Sequence, residues 1–478
     1  MSRAVRAPWC PLLVCLVMSA APLAAEELRV TAGLSLEDTI VDTVGSLRSP
    51  AGVCTESQVL WLGDQLAVSQ ITAIEGRAWS SANGEFYAVN RAQYPDGAGP
   101  AMVYQRPDTL LLSLPAGLSR LWISNDGSTV VNVADAYTGP LRLEVWDRAG
   151  EIRWRWVNWL PEGTYWSAMA PDGAAFVVLR GGMQVSVVEL GATGPQLTQT
   201  ELMHPDYPVT PCGRPLFMGD GRFFAAAHGA RPGGDRTACL AVARRDGSCA
   251  ASTVLPGRIL QIAYATACDS GGRWFMAAFA RPTASVAMYD HALRPVWERE
   301  ARELAPQELL EQADMLSVWA HDVRADGSSA VVVGDWRRPD LPKRLILLHP
   351  DGQPAAWADL SDQHGWLFGS RPEVAFGEDG QAIHVLTSTA LLRFEVPEGA
   401  DRGTPYSFRR PRSGAESGRR DLPCPHGTVQ WGAYGPRPRP AALACNHGGV
   451  RQSSMGSPKL PRTGGLMQRC ASVRCGEL

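Results

Sequence analysis

Few residues in this chain have types and neighbours suited to chemistry, and they are scattered. His321 and Asp322 are adjacent in Val318-Trp319-Ala320-His321-Asp322. In an alternating strand Trp319 and His321 share one face while Asp322 takes the other, so the expectation is an ordinary strand histidine, not a dyad. His228 opens the glycine-rich stretch Gly229 to Gly234, with Asp235 beyond it, which suits a loop at a ligand mouth. Trp336 and Arg337, in Asp335-Trp336-Arg337-Arg338, put charge and an aromatic ring together, as contact with a protein or sugar would use. His321, Trp319, Trp336, Arg337 and His228 are the candidate ligand-binding residues, each weighed against plain packing or a solvated loop.

No catalytic residue is assigned. The sequence has no Gly-x-Ser-x-Gly elbow, no His-Glu-x-x-His helix and no Gly-x-x-x-x-Gly-Lys-Ser/Thr loop. No metal or cofactor is assigned either. No Asp-x-Asp-x-Asp loop occurs, and Cys54, Cys212, Cys239, Cys249 and Cys268 contain no Cys-x-x-Cys pair. Four of these cysteines lie close together in sequence, so one or two disulfides are expected if the chain is exported.

The elements that would position these residues form a repeat. An Asp-Gly or Asn-Gly turn recurs at Gly84, Gly127, Gly173, Gly221, Gly327 and Gly380, with Asp269-Ser270-Gly271 in the same series. Successive glycines are 43, 46, 48, 50, 56 and 53 residues apart. Such pairs accept the backbone of a tight hairpin. A β-rich run follows each turn, as in Thr129 to Val133 and Ala175 to Leu179, and a third strand follows that, as in Val185 to Leu190. An aromatic precedes each turn: Trp79, Trp122, Trp166, Phe217, Tyr264, Trp319 or Phe376. Repeated large residues at one strand position read as packing between units more than as a ligand channel. One helical insertion is expected from Pro306 to Asp314.

Short strands at this period predict an all-β propeller of about seven four-stranded blades, with eight possible, over residues 26–400. The seventh unit offers three strands, and an N-terminal strand, Leu28 to Thr31 or Val59 to Leu62, is expected to complete it. The stretch from Leu34 to Ile71 leaves room for an eighth blade.

The unit resembles the blades of WD40-like and YVTN-like propellers, including the quinoprotein-like group. Ala170-Pro171-Asp172-Gly173-Ala174 and Val145-Trp146-Asp147 carry the likeness, which covers roughly Ile71 to Val396. No Gly-His pair opens the units and Trp-Asp occurs once, a departure from strict WD40 repeats. The resemblance implies a ring with a central channel and a binding face.

The flanks differ from this body. Arg3 and Arg6, an apolar run from Pro11 to Met18 and small residues up to Ala25 read as a signal peptide over residues 1–25. The apolar run is too short for a membrane span, so an exported, periplasmic or extracellular chain is expected. Residues 401–478 are rich in Arg, Gly, Pro and Ser and read as a disordered basic tail. That tail carries 13 Lys and Arg against 4 Asp and Glu, within a chain of net charge -3. The body is therefore acidic, which excludes nucleic acid as its main partner. The leading expectation is a monomeric, non-enzymatic binding or scaffold module for a protein or small-molecule ligand of the cell envelope. The alternative is a propeller enzyme of quinoprotein-like or lactonase-like class, which would converge several carboxylates or histidines at the channel.

Overall fold

The computed structural model describes residues 26–397, apart from residues 37, 56, 75–76, 93–97, 115–119, 135–140, 159–165, 192–193, 203–208, 231–235, 261–265, 282, 336, 339–340, 342 and 361–372. The expectations for residues 1–25 and 401–478 fall outside this set, as does Trp336. The described residues form eight antiparallel sheets of four or five strands. Each is one blade, and from the centre outward its strands follow chain order in the first seven.

Blade 1 runs Ile40–Ser46, Ser49–Thr55, Gln58–Leu62 and Val68–Ala73. Blade 2 runs Arg77–Ser80, Phe86–Ala92, Ala98–Gln105 and Thr109–Leu114. Blade 3 runs Arg120–Ile123, Thr129–Ala134, Leu141–Asp147 and Ile152–Asn158. Blade 4 runs Trp166–Met169, Ala175–Arg180, Gln184–Gly191 and Gly194–Glu201. The inner strand of blade 5 is split into Val209–Pro211 and Leu216–Phe217, followed by Phe223–Ala230, Arg236–Ala243 and Cys249–Pro256. Blade 6 is split likewise into Ile259–Leu260 and Thr266–Cys268, before Trp274–Arg281, Ser285–Asp290 and Pro295–Glu300. Blade 7 runs Leu316–Val323, Ser329–Asp335, Lys343–Leu348 and Pro354–Leu360. Short helices Ala301–Leu304 and Gln307–Gln312 precede it, where one helical insertion was expected.

Blade 8 closes the ring. Glu373–Phe376, Ala382–Leu386 and Ala390–Glu395 come from the end of the described chain, and Val30–Ser35 from its start supplies the outer strand. This is the expected N-terminal completion. The strand used overlaps Leu28 to Thr31, while Val59 to Leu62 belongs to blade 1. Glu26–Glu27 adds a parallel fifth strand at the rim of blade 7. Seven recognisable turns thus mark blades 2 to 8, and the remaining stretch is blade 1. Its first hairpin joins Ser46 to Ser49 through Leu47 and Arg48 and has no Asp-Gly pair.

Apolar burial explains why the blades stack. The inner and middle strands are covered on both sides, as in Ala175–Arg180, where five residues in a row are buried. Outer strands face solvent, as in Val68–Ala73, where five of six are exposed. The buried apolar residues separate into eight clusters, one for each seam between neighbouring blades. Ile40, Val53 and Leu60 of blade 1 meet Ala375, Leu386 and Leu391 of blade 8 in the cluster that closes the circle. A side chain such as Phe176, fully buried in the seam between blades 3 and 4, contributes roughly 1.5–3 kcal/mol. No blade could bury these residues alone.

The recurrent turns join the first two strands of blades 2 to 8. In the third blade the Gly127 N–H donates to the Ser124 carbonyl, and Asp126 Oδ1 accepts from the Ser128 N–H at 3.0 Å. Asp172, Asp220, Asp326 and Asp379 repeat this carboxylate bond, so the acid shapes the turn and the glycine supplies a left-handed residue. Blade 6 differs by one position. Asp269 moves to the start of its turn and accepts from the N–H groups of Gly271, Arg273 and Trp274, and Gly272 rather than Gly271 has the positive φ.

Candidate functional site

The inner strand of blade 7 carries the strongest sequence candidates, and a bulge at Trp319 breaks its alternation. Trp319 and Asp322 therefore turn toward blade 8, and His321 toward blade 6. The expected shared face of Trp319 and His321 is not formed. Trp319 packs half-buried on the cluster between blades 7 and 8, with the Lys343 Nζ 5.2 Å from its ring. Lys343 is fully buried and donates to the Leu341 carbonyl at 3.0 Å. His321 is buried beside the backbone of Met276, and burial pushes its pKa down to about 4. It is neutral at physiological pH and separated by the sheet from Asp322, so the two do not form a dyad.

Asp322 has a different role. Its Oδ1 accepts from Arg48 of blade 1 at 2.7 Å, and its Oδ2 from the Phe376 N–H of blade 8 at 2.9 Å. The same Arg48 nitrogen lies 3.3 Å from the Cys268 carbonyl of blade 6. One ion pair thus ties four blades together at the centre. Burial raises the pKa of Asp322, and Arg48 and the backbone donors oppose that rise.

A second central group sits on the opposite side of the ring. Arg214, between the two pieces of blade 5's inner strand, lies 5.6 Å above the ring of Trp122 in blade 3. Burial raises the pKa of Asp42 in blade 1, against the attraction of Arg214. Asp42 and Asp322 therefore each have a guanidinium acting on them. Nothing in sequence marks Arg48, Asp42 or Arg214, because their partners are supplied by other blades.

His228 is not simply a loop residue. Its Nδ1 lies 2.7 Å from Cys212 Sγ, the spacing of a thiol and its base. Electrostatics oppose ionisation, since burial raises the thiol to about 12 and lowers the imidazole. The pair is a neutral hydrogen bond between thiol and imidazole at rest. Cys54, Cys212, Cys239, Cys249 and Cys268 are not joined by disulfides, which overturns the expected bridges. Arg337 is exposed, and its N–H donates to Asp335 at 2.7 Å. His228, Arg337 and the blade 7 residues thus occupy separate places and do not form one site. Among the described residues no group of three or more His, Cys, Asp and Glu is placed to hold a metal ion. No described helix is long and apolar enough to cross a membrane.

The fold has known counterparts. The C-terminal WD40 domain of Sif2 is similar at a TM-score of 0.48 and 12% identity, covering 78% of this chain and 99% of that one. A eukaryotic initiation factor gives 0.44 and 12%, covering 68% of this chain and 89% of that one. The β-propeller domain of Cps50 (Swd1) from Myceliophteria thermophila gives 0.41 and 10%, covering 75% of this chain and 100% of that one. No family model and no curated protein matches the sequence.

Several of the described aromatics before the turns pack against neighbouring strands and blades. Phe376 is buried between blades 7 and 8, Trp122 stands edge-on to Phe176 at 6.1 Å, and Phe217 packs on Phe223 at 5.7 Å. Tyr264 lies outside the described residues. Trp79 and Trp319 likewise pack half-buried on seam clusters.

The two ends of the ring are chemically unlike. Strands of a blade alternate in direction, so its first-to-second and third-to-fourth connections share one end. The second-to-third and blade-to-blade connections share the other. At the first end the turns bond to one another across seams. Asn83 Nδ2 donates to the Asn125 carbonyl, the Gly219 N–H to that of Ser270, Trp274 Nε1 to that of Ala325, and Arg324 Nη1 to that of Gly380. At the second end the strand tips are joined by longer segments, among them 135–140, 159–165 and 361–372.

Proposed function

We propose that this chain is an exported, non-enzymatic propeller that binds a protein partner through the end of the ring carrying the longer connections. The observation that carries this reading is where the aromatic residues fall. Tyr94, Tyr137, Tyr165 and Tyr207, four of the ten tyrosines, belong by sequence to connections joining strand tips at that end. Trp159, Trp336, Trp366 and Phe368 belong there too, while the tight turns of the opposite end have no aromatic residue. Tyrosine and tryptophan are enriched in the centres of protein interfaces, since they bury large area with little loss of side-chain freedom. The balanced Asp-Arg groups at the centre support a structural use of those charges over a catalytic one.

Export rests on residues 1–25 and fits the way the body begins. Glu26 and Glu27 pair with Ala356 and Trp357, and Leu28 is buried. A chain cut after Ala25 keeps every described residue that closes the ring. The test is photocrosslinking in producing cells from a reactive residue at Arg337, at the aromatic end, and from one at Asp220, on the turns. A crosslinked protein from Arg337 alone supports the reading, and crosslinks from Asp220 alone overturn it. N-terminal sequencing should find Glu26 first, and a chain beginning at Met1 in the secreted fraction's place would refute export.

A further inference from the structure

The seam between blades 8 and 1 opens at its turn end into a pocket of about 310 Å³. That volume sits at the small end of ligand sites. Three kinds of polar group line it. His384 is 7% exposed, and its buried Nδ1 has no hydrogen-bond partner. Burial lowers its pKa, and Arg393 adds to that, against the weaker opposing pull of the Leu47 backbone and Asp379. Glu378 and Asp379, in the turn of blade 8, supply two carboxylates, and Asp379 already accepts the Gln381 N–H through Oδ1 at 2.8 Å. Arg393 of the same blade supplies a guanidinium, and Arg48 of blade 1, whose Nη2 already bonds Asp322, lines the pocket beside it.

We propose that this seam pocket binds a small zwitterion of the amino-acid class. The ligand's ammonium group donates to His384 Nδ1 and faces Glu378 and Asp379. Its carboxylate faces Arg393, with Arg48 alongside. A neutral imidazole with a bare nitrogen is an acceptor, and a buried acceptor without a donor costs free energy that a ligand N–H would recover. An anion alone would satisfy the guanidiniums but meet the two carboxylates, and a cation alone would meet the reverse. Only a ligand with both charges answers the whole lining. This site lies at the opposite end of the ring from the proposed protein-binding end, so either can fail without the other.

Calorimetric titration of the whole chain with glycine, L-glutamate and L-lysine, and with acetate and methylammonium as half-ligands, tests it. At least one amino acid should bind, with each half-ligand about tenfold weaker or more. His384→Phe removes the acceptor and keeps the bulk, and Glu378→Gln changes only an exposed turn residue that cannot unfold the blade. Each should weaken amino-acid binding about tenfold. The proposal is overturned if no amino acid binds, if acetate or methylammonium alone binds as tightly, or if both variants bind like the parent chain.

Discussion

The two ends of this ring share every strand, yet they are held by different physics. At the turn end, six of the seven repeated hairpins use the same local bond, and neighbouring turns hydrogen-bond across seams. The centre adds Arg48 and Asp322, which join blades 1, 6, 7 and 8. At the other end the strand tips meet segments of unequal length with an aromatic composition. Closure of a propeller needs one end at which all blades are matched, and that leaves the other free to vary. The difference separates the residues that make the ring from those left free to vary.

The comparison breaks first at its centre. Arg48→Ala leaves the Asp322 carboxylate, with a side chain only 8% exposed, without its cation. Removing one member of such a pair costs about 3 kcal/mol. Urea denaturation should show that loss, and the added change Asp322→Asn should recover much of it, because an amide oxygen still accepts the Phe376 N–H. At the aromatic end Arg337→Ala should stay within about 0.5 kcal/mol. Equal losses from Arg48→Ala and Arg337→Ala would erase the distinction between the ends.

A pH series sharpens the same contrast on adjacent residues. His321 is held near 4, against roughly 6.5 for an ordinary histidine. Between these values the unfolded chain takes up a proton that the folded chain refuses, so acid favours unfolding. The stabilisation is complete above about 6.5 and is lost as pH falls toward 4, amounting to about 3 kcal/mol. His321→Gln should flatten this part of the stability curve, and a parent-like slope in that variant would exclude His321 as its source.

The turns were legible in sequence because each is closed by its own neighbours. Asp126 bonds Ser128, and Asp172 bonds Ala174, so the signal is local and repeats. Blade 1 was less legible because its first hairpin turns through Leu47 and Arg48 with no acid-glycine pair. Gly272 was misassigned as Gly271 because Asp269 caps its turn from the first position, and spacing alone does not show that. Trp319 was placed on the wrong face because a bulge is set by pairing with Val333 and Val332 on the neighbouring strand. Arg48 and Asp322 lie 274 residues apart, and Cys212 meets His228 only because blade 5 pairs their strands. Bonds formed through ring closure leave no local trace.

The smallest test separates the seam-facing turns from the outer ones. Gly127 and Gly150 both have positive φ, so alanine strains either backbone by about 1–2 kcal/mol. A Cβ at Gly127 would lie 2.5 Å from the Phe86 ring of the neighbouring blade, whereas one at Gly150 meets nothing within 4 Å. The strain cancels between the two variants and the difference reports the seam. Gly127→Ala should be the less stable by about 2 kcal/mol, the usual cost of overfilling a packed site. Thermal or urea unfolding of the pair measures it. Matching stabilities would mean that blade 2 yields at its turn, and that the hydrogen bonds between turns, rather than close packing, hold this end of the ring.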